Sequence, residues 1–390
     1  MAYRFSTNDQ FNYEVLLALG SAWQRGADVG EVLTAASATA DADAQTWCTT
    51  WSTLARAVRQ QGERSLAGGR TISARDAFLR AATYFGTALV SVDACADPEE
   101  LLRELFAETL DPPAERVTIP YEGASLPGYL LSPPGRSGQL PTVIANNGSD
   151  GPISAAWTLL GAPAVARGYR ALLFDGPGQQ SMLFDHKVPF RPDWERVITP
   201  VVDFLLARSD VDPARLVLAG ISQAGYWVPR ALAFEHRIAA GVADPGVVEV
   251  GESWWPRLGP DLRALWESGD RETFDHVVNG ALGADPAAAS VWRWRTKPYG
   301  VDSPYDVMVE IAKYDLMPVV HQITTPLLIT DPDGEQFWPG ASERLYEALP
   351  GPKELVRFTE SEGAQLHCEP MGRAVFEQRV FDWLDTRLAP

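Results

Sequence analysis

The chain has 390 residues, of which 46 % are hydrophobic and 22 % are charged, and this composition excludes a disordered, coiled-coil or collagen-like protein. Its 51 acidic and 33 basic residues give a formal net charge of −18, so its electrostatics do not favour binding to nucleic acid or to an anionic membrane. The number and spacing of Cys48, Cys95 and Cys368 predict neither a disulfide framework nor a zinc site. A polar N-terminus and the lack of a long apolar run predict a cytoplasmic protein.

The first part of the chain, residues 1–112, has the apolar periodicity of helices. Residues 97–110 continue the pattern, with Asp97 and Glu100 in the positions of a capping box. Consecutive prolines at 112 and 113 then end it. The sequence therefore predicts a helical N-terminal domain over residues 1–112, whose apolar face would lie against the rest of the protein.

From residue 113 onward, short apolar runs alternate with helical patterns, which predicts an α/β fold with a mostly parallel sheet flanked by helices. The predicted strands cover residues 116–120, 126–132, 141–147, 170–175, 215–219, 238–243, 326–330 and 355–358. A tryptophan-rich segment over residues 247–322 interrupts the alternation. We expect this segment to form a helical lid over the carboxyl ends of the strands, which divides the core into residues 113–246 and 323–390.

The strongest local signal is Gly220-Ile221-Ser222-Gln223-Ala224-Gly225, which follows an apolar strand and begins a helix. A sharp turn between a strand and a helix exposes a serine hydroxyl at the edge of a sheet, and small flanking residues are needed because the neighbouring backbone comes close. This context predicts that Ser222 is a nucleophile. The match is imperfect, because Ala224 stands where the G-x-S-x-G pattern has its second glycine.

A nucleophilic serine needs a base, and only one of the five histidines, His367, lies in a loop after the last predicted strand. The acid that orients this base must lie between the serine and the histidine in chain order. Spacing selects Glu335, which lies four residues before Pro339, and Asp333 is the alternative. Asp244, at the end of the preceding strand, is a third candidate.

Acyl transfer also needs two backbone N–H groups that stabilise an oxyanion. We expect Gln223, directly after the nucleophile, to provide one and Ser149, in the loop after strand 141–147, to provide the other. The turn Asp175-Gly176-Pro177-Gly178 would lie beside them. This turn lacks the spacing of a dinucleotide-binding loop, the chain has no Gly-Lys-Ser/Thr loop, and no histidine pair has the spacing of metal ligands, so no cofactor and no metal are predicted.

In this order, these segments resemble those of the α/β-hydrolase superfamily, over residues 115–390. Within it, the chain is similar to the group that contains 2,6-dihydroxypseudooxynicotine hydrolase and the fungal heptaketide-shortening hydrolases of pigment biosynthesis. The similarity extends to the helical N-terminal domain and to three motifs, Asp175-Gly176-Pro177-Gly178-Gln179, Trp294-Arg295-Thr296-Lys297-Pro298-Tyr299-Gly300 and Glu362-Gly363-Ala364-Gln365-Leu366-His367-Cys368. The resemblance implies an α/β-hydrolase fold and the hydrolysis of carbon–carbon bonds beside a ketone.

The leading hypothesis is a serine hydrolase that cleaves a C–C bond in a 1,3-dicarbonyl, or an ester bond, in an apolar, aromatic or polyketide-like small molecule of secondary metabolism. Aromatic side chains suit such a substrate, and we expect Trp254, Trp255 and His186 to contact it. Alternatives of the same class are a carboxylesterase and an acyltransferase or cyclase. A non-catalytic ligand-binding protein on the same fold is the alternative of a different class, and the helical domain would also suit a homodimer contact.

Overall fold

A computed structural model describes residues 3–95 and 113–388 of the chain. Its N-terminal part contains four helices, α1 (Asp9–Ser21), α2 (Val29–Ala38), α3 (Ala44–Ala67) and α4 (Thr71–Ala88). Asn8, Asp28 and Asp43 cap the first three helices, because each side chain accepts hydrogen bonds from backbone N–H groups of the first turn. The helix predicted over residues 97–110, with its capping box of Asp97 and Glu100, lies outside the described residues.

Buried aromatic rings and a disulfide hold the N-terminal helices together. Trp47 and Trp51 of α3 are fully buried with their ring centroids 5.4 Å apart, and Phe11 of α1 stacks on Trp47. Cys48 and Cys95 form a disulfide, with their Cα atoms 5.6 Å apart. The expectation that these cysteines form no disulfide is therefore wrong. Helices α3 and α4 pack along each other, and this packing brings together two residues that are 47 positions apart in the chain.

An eight-stranded sheet forms the core of the second part of the chain, in the order β1-β2-β4-β3-β5-β6-β7-β8. The two strands at one edge pair antiparallel with their neighbours, and all the other pairs are parallel, as the alternating pattern predicts. The strands are β1 (Glu115–Tyr121), β2 (Ala124–Leu131), β3 (Leu140–Asn146), β4 (Arg170–Phe174), β5 (Val211–Ile221), β6 (Ala240–Asp244), β7 (Leu327–Pro332) and β8 (Lys353–Phe358).

Helices cover both faces of this sheet, and the central strands are buried on both sides. Side chains alternate between faces along a strand, so Leu216 and Leu218 of β5 belong to one buried cluster whereas Val217 and Ala219 belong to the other. The helices that follow β3, β4 and β5 are α5 (Ile153–Ala156), α6 (Ala162–Ala166), α7 (Gln180–Phe184), α8 (Glu195–Leu206) and α9 (Ala224–Leu232), with a π-helical segment (Trp157–Gly161) between α5 and α6.

Five helices lie between β6 and β7, where the sequence predicts a lid: α10 (Trp255–Leu258), α11 (Pro260–Ser268), α12 (Arg271–Ala284), α13 (Pro286–Thr296) and α14 (Pro304–Ile311). Two more helices complete the fold, α15 (Ala341–Ala348) after β7 and α16 (Arg373–Arg387) after β8. Within the two described ranges, no helix is both long enough and apolar enough to cross a membrane.

The N-terminal helices are joined to the rest of the protein by close contacts. Trp23 and Gln24 donate hydrogen bonds of 2.8–2.9 Å to the Glu377 carboxylate of α16. A Cβ atom added to Gly20 of α1 would lie 1.9 Å from a backbone oxygen in the loop before α16, so the two segments touch backbone to backbone. Trp294 of α13 is buried in the same cluster as the aromatic rings of the N-terminal helices. These helices therefore share their packing with both the sheet and the inserted helices.

Removal of residues 1–110 should leave a chain that aggregates, because the change would expose Trp294 and the apolar surface around it to water. The measurement is size-exclusion chromatography of the truncated protein beside the full-length chain purified in the same way. A soluble, monomeric protein of residues 111–390 would contradict the packing described above.

Candidate active site

Ser222 lies in the sharp turn that joins β5, which ends at Ile221, to α9, which begins at Ala224. Its φ is +59°, in the left-handed region that residues other than glycine rarely adopt and that stores strain. The turn is held in this conformation because the Ser222 N–H donates a 2.6 Å hydrogen bond to the carbonyl oxygen of Asp244, the last residue of β6.

The departure from the G-x-S-x-G pattern has a structural reason. A Cβ atom added to Gly225 would lie 1.8 Å from the carbonyl oxygen of Pro245, whereas the methyl group of Ala224 is accommodated with no exposure. Gly220 provides part of the space for the Ala224 methyl group, since a Cβ atom added to Gly220 would lie 2.7 Å from the Cβ atom of Ala224. The position that must be glycine is therefore 225, where the chain after β6 crosses the start of α9.

The side chains of Ser222, His367 and Glu335 form one line of hydrogen bonds. The imidazole Nε2 lies 2.9 Å from the serine Oγ, and Nδ1 lies 2.8 Å from the glutamate Oε2. The other glutamate oxygen accepts hydrogen bonds from the backbone N–H groups of Phe337 and Trp338. Burial opposes the ionisation of Glu335, but His367 and these N–H donors outweigh burial and hold the pKa of the carboxyl group below its ordinary value.

The structure does not bring the other two candidate acids to the imidazole. Asp333 is exposed. Asp244 is fully buried, and its carboxyl group accepts a 2.7 Å hydrogen bond from the Thr330 hydroxyl. Its carbonyl oxygen accepts from the N–H of Ser222 and from the thiol of Cys368. Asp244 therefore contacts the turn through its backbone, and it contacts the histidine loop both through its backbone and through its carboxyl group, which interacts with the buried carboxyl group of Glu369.

Groups from two parts of the chain, the segment after Glu335 and the N-terminal helix α1, hold the loop of His367. Its backbone N–H donates a 2.9 Å hydrogen bond to the side chain of Gln336. Its carbonyl oxygen accepts a 2.6 Å hydrogen bond from the hydroxyl of Tyr13, in the N-terminal helix α1. The rings of Phe337 and Trp338 pack against the imidazole, with centroids 4.7 and 5.7 Å away. The sequence gives no signal for Tyr13, which is 354 positions from the residue it contacts.

Both residues expected to supply oxyanion donors, Gln223 and Ser149, line the cavity above Ser222. Gly148 packs against Ser222, since a Cβ atom added to Gly148 would lie 2.8 Å from the Ser222 Cβ. The N–H of Gly148 already donates to the side chain of Asn147. Ser149 therefore stays the predicted donor of this loop.

Gln179 fixes the position of this loop, a role that sequence reasoning missed. Its side-chain NH₂ donates 2.8 Å hydrogen bonds to the carbonyl oxygens of both Asn147 and Gly148, and its side-chain oxygen accepts from the N–H of Gly176. The residue is almost fully buried. The Asp175-Gly176-Pro177-Gly178-Gln179 motif thus connects the loop after β4 to the expected oxyanion loop after β3.

The cavity above Ser222 is bounded by the N-terminal helices, the inserted helices and the sheet loops, and its space, counted with the opening to solvent, is about 1340 Å³. Trp254, one of the residues expected to contact a substrate, lines it. Trp255 and His186 do not reach the cavity wall. Trp255 packs against Trp266 with ring centroids 5.3 Å apart, and His186 is exposed in the loop after α7. The positions of Trp254 and Trp255 in the sequence could not show which of them faces the cavity, because the turn of the chain before α10 decides this.

Gly225→Ala should lower the free energy of unfolding by at least about 2 kcal/mol, because the new methyl group would overlap the carbonyl oxygen of Pro245. The matched control is Gly280→Ala in α12, where a Cβ atom meets nothing within 4 Å and alanine improves helix propensity. Urea unfolding of both variants measures the difference. Equal stabilities would contradict the close crossing at the elbow.

No protein-family model matches the chain. Over almost its whole length, it is similar to the hydrolase acrC of Aspergillus aculeatus. The two are 30 % identical in an alignment of 422 positions, gaps included, which covers 98 % of this chain and 97 % of the relative. It is also similar to the α/β hydrolase xenA of Xenoacremonium sinensis (28 % over 415 residues, 98 % and 97 %) and to the 20-hydroxy-prefusarin hydrolase FUS2 of Gibberella moniliformis (29 % over 413 residues, 99 % and 98 %). The crystal structure of 2,6-dihydroxy-pseudo-oxynicotine hydrolase shares the fold, with a TM-score of 0.73 and 23 % identity over 95 % of this chain and 96 % of that one. The expected fold is confirmed, and the chain belongs to the α/β-hydrolase family of enzymes.

Proposed function

We propose that this enzyme is a serine hydrolase with Ser222, His367 and Glu335 as its catalytic triad, and that it cleaves a C–C bond beside a ketone, or an ester bond, in an aromatic or polyketide-like small molecule. The observation that carries the proposal is the line of hydrogen bonds of 2.9 and 2.8 Å that engages both imidazole nitrogens of His367. A serine, a base and an orienting acid in this geometry are the requirements for nucleophilic catalysis.

In the first step, the Oγ of Ser222 attacks the scissile carbonyl carbon while its proton passes to Nε2 of His367. The carboxylate of Glu335 stabilises the resulting imidazolium through Nδ1. Because the pKa of Glu335 is lowered, this group stays ionised and can do so. The N–H groups of Gln223 and Ser149 stabilise the oxyanion of the tetrahedral intermediate.

In a 1,3-dicarbonyl substrate, the intermediate collapses by breaking the bond between the former carbonyl carbon and the carbon between the two ketones. The electron pair of that bond moves onto the second carbonyl as an enolate. The imidazolium of His367 then gives its proton to the carbon, and the shortened ketone leaves. An ester follows the same path, with an alkoxide as the leaving group.

The acyl group remains on Ser222 and is removed by water. His367, neutral again, takes a proton from the water molecule as the latter attacks the acyl carbon. Collapse of the second tetrahedral intermediate releases a carboxylic acid and returns the proton to Ser222. The chain therefore needs no cofactor for any step.

The walls of the cavity support a flat, largely apolar substrate. The rings of Trp254, Trp294, Tyr299, Phe337 and Trp338 line it, and aromatic side chains give large contact areas to such molecules. The relatives also support this substrate class. FUS2 is named for 20-hydroxy-prefusarin, and the structural neighbour for 2,6-dihydroxy-pseudo-oxynicotine.

Glu335→Gln should lower kcat by at least about 10²-fold, because a neutral amide cannot stabilise the imidazolium that forms on His367. The matched control is Asp333→Asn, which makes the same chemical change two residues away on an exposed side chain and should leave kcat within about twofold, as surface substitutions usually do. The measurement is steady-state hydrolysis of a 4-nitrophenyl ester and of 1-phenylbutane-1,3-dione. A larger loss in Asp333→Asn would overturn the assignment of the acid.

A further inference from the structure

The cavity above Ser222 has one polar wall that the triad does not use. It consists of Arg295 from α13 and of Gln10 and Glu14 from α1. Gln10 and Glu14 lie one helical turn apart and therefore on the same face of α1. This wall thus combines a cation from the inserted helices with two side chains from the N-terminal helices.

Gln10 orients the other two side chains. Its side-chain oxygen accepts a 2.5 Å hydrogen bond from Nη2 of Arg295, and its NH₂ group donates a 2.8 Å hydrogen bond to Oε1 of Glu14. Among the described residues, no other hydrogen bond or ion pair of the side chains of Arg295 and Glu14 is found. The remaining guanidinium N–H groups and the second carboxyl oxygen are therefore left for a ligand.

In the described ranges no carboxylate forms an ion pair with the cation of this wall, although Asp150 lines the same cavity. Arg295 and Arg257 each lie with the guanidinium carbon 5.3 Å from the ring centroid of Phe337, and in the described ranges neither has a carboxylate oxygen within 4.0 Å. Burial, and then the nearby Arg295, lower the pKa of Arg257 to about 10. Two guanidinium groups on one ring raise the electrostatic potential of this part of the cavity and favour an anion.

Glu14 does not supply the missing negative charge. Burial, and then the neighbouring Asp150, raise its pKa to about 8, against the opposing effects of Gln10 and Arg295. At neutral pH the Glu14 carboxyl group is therefore mostly protonated and can donate a hydrogen bond. A cation and a neutral hydrogen-bond donor, each held by Gln10, can together stabilise an oxygen on which negative charge develops.

We propose that Arg295 and Glu14 bind the second carbonyl oxygen of a 1,3-dicarbonyl substrate and stabilise the enolate that forms when the C–C bond breaks. This inference rests on the proposed C–C bond cleavage. The location fits, because Arg295 and His367 contact the same ring of Phe337, with the imidazole centroid 4.7 Å from it. One aromatic ring thus lies against both the group that protonates the carbon and the group that would hold the enolate oxygen.

The step balances without a further reactant. The bond from Ser222 Oγ to the acyl carbon has formed, the C–C bond breaks, and its electron pair becomes the enolate whose oxygen faces Arg295. The proton that His367 took from Ser222 then neutralises the enolate at carbon. Arg295 and Glu14 keep their protons throughout, so they stabilise charge and transfer nothing.

The test uses 1-phenylbutane-1,3-dione, whose enolate has a different ultraviolet spectrum from its neutral forms. Titrated in complex with the full-length Ser222→Ala protein, which cannot react, the diketone should have a pKa at least about one unit lower than in water, as expected beside an opposite charge. Combining Ser222→Ala with Arg295→Met should abolish the shift, whereas combining it with Arg293→Met should preserve it. Arg293 is the matched control, because it is an exposed arginine on the same helix.

Kinetics give a second readout. In the enzyme with Ser222 intact, Arg295→Met should lower kcat/KM for the diketone at least about tenfold more than for a 4-nitrophenyl ester, which has no second carbonyl. Glu14→Gln, which keeps a neutral donor, should retain more diketone activity than Glu14→Leu.

Equal losses on both substrates, or an unshifted spectrum in Ser222→Ala, would overturn the inference about Arg295 and Glu14. Failure of the proposed function is distinguishable, because then Ser222→Ala would cleave the ester and the diketone as fast as the unmodified enzyme. An enzyme that hydrolyses the ester through Ser222 but never cleaves the diketone would overturn the C–C assignment and this inference together.

Discussion

The carbonyl oxygen of Asp244 is the point at which the turn of Ser222 and the loop of His367 meet. It accepts a hydrogen bond from the backbone N–H of Ser222 and another from the thiol of Cys368, the residue after His367. Ser222, Cys368 and Glu369 all have positive φ, a conformation that costs about 1–3 kcal/mol for each such residue. The contact at Asp244 thus links the two strained segments whose side chains must lie within hydrogen-bond distance of each other.

The second constraint on the site comes from outside the sheet. Tyr13 holds the carbonyl oxygen of His367, and Gln10 and Glu14 of the same helix face the cavity. An α/β core alone would present Ser222 at an open sheet edge. The N-terminal helices close that edge. In our proposal they also supply groups that bind the second carbonyl oxygen of the substrate. Catalytic geometry and substrate recognition would then depend on the same helix.

Local sequence patterns could predict the fold, and they could select the three residues that we propose as the triad, because the signals for each lie within short segments. The apolar runs of β5 and the glycines around Ser222 indicate the elbow directly, and the distance from Pro339 singles out Glu335, which the structure places against His367. The polar wall could not be predicted in this way. Arg295 and Gln10 are 285 positions apart, and only the packing of α13 on α1 brings them together.

The same reason explains the expectations that the structure does not support. Cys48 and Cys95 pair through helix packing that spacing alone does not reveal. His186 and Trp255 lie in segments of the right composition, but their side chains face solvent or neighbouring helices. Composition could select segments, whereas the direction of each side chain required the tertiary structure.

The activation of Ser222 by His367 is the central claim, and covalent labelling tests it most directly. After incubation with a fluorophosphonate, intact-mass and peptide mass spectrometry should show one adduct per chain on Ser222, formed at least about 10³-fold more slowly in His367→Ala, since nucleophile and base act as one unit. An unlabelled protein, or a label that stays in Ser222→Ala or forms at the same rate in His367→Ala, would contradict it.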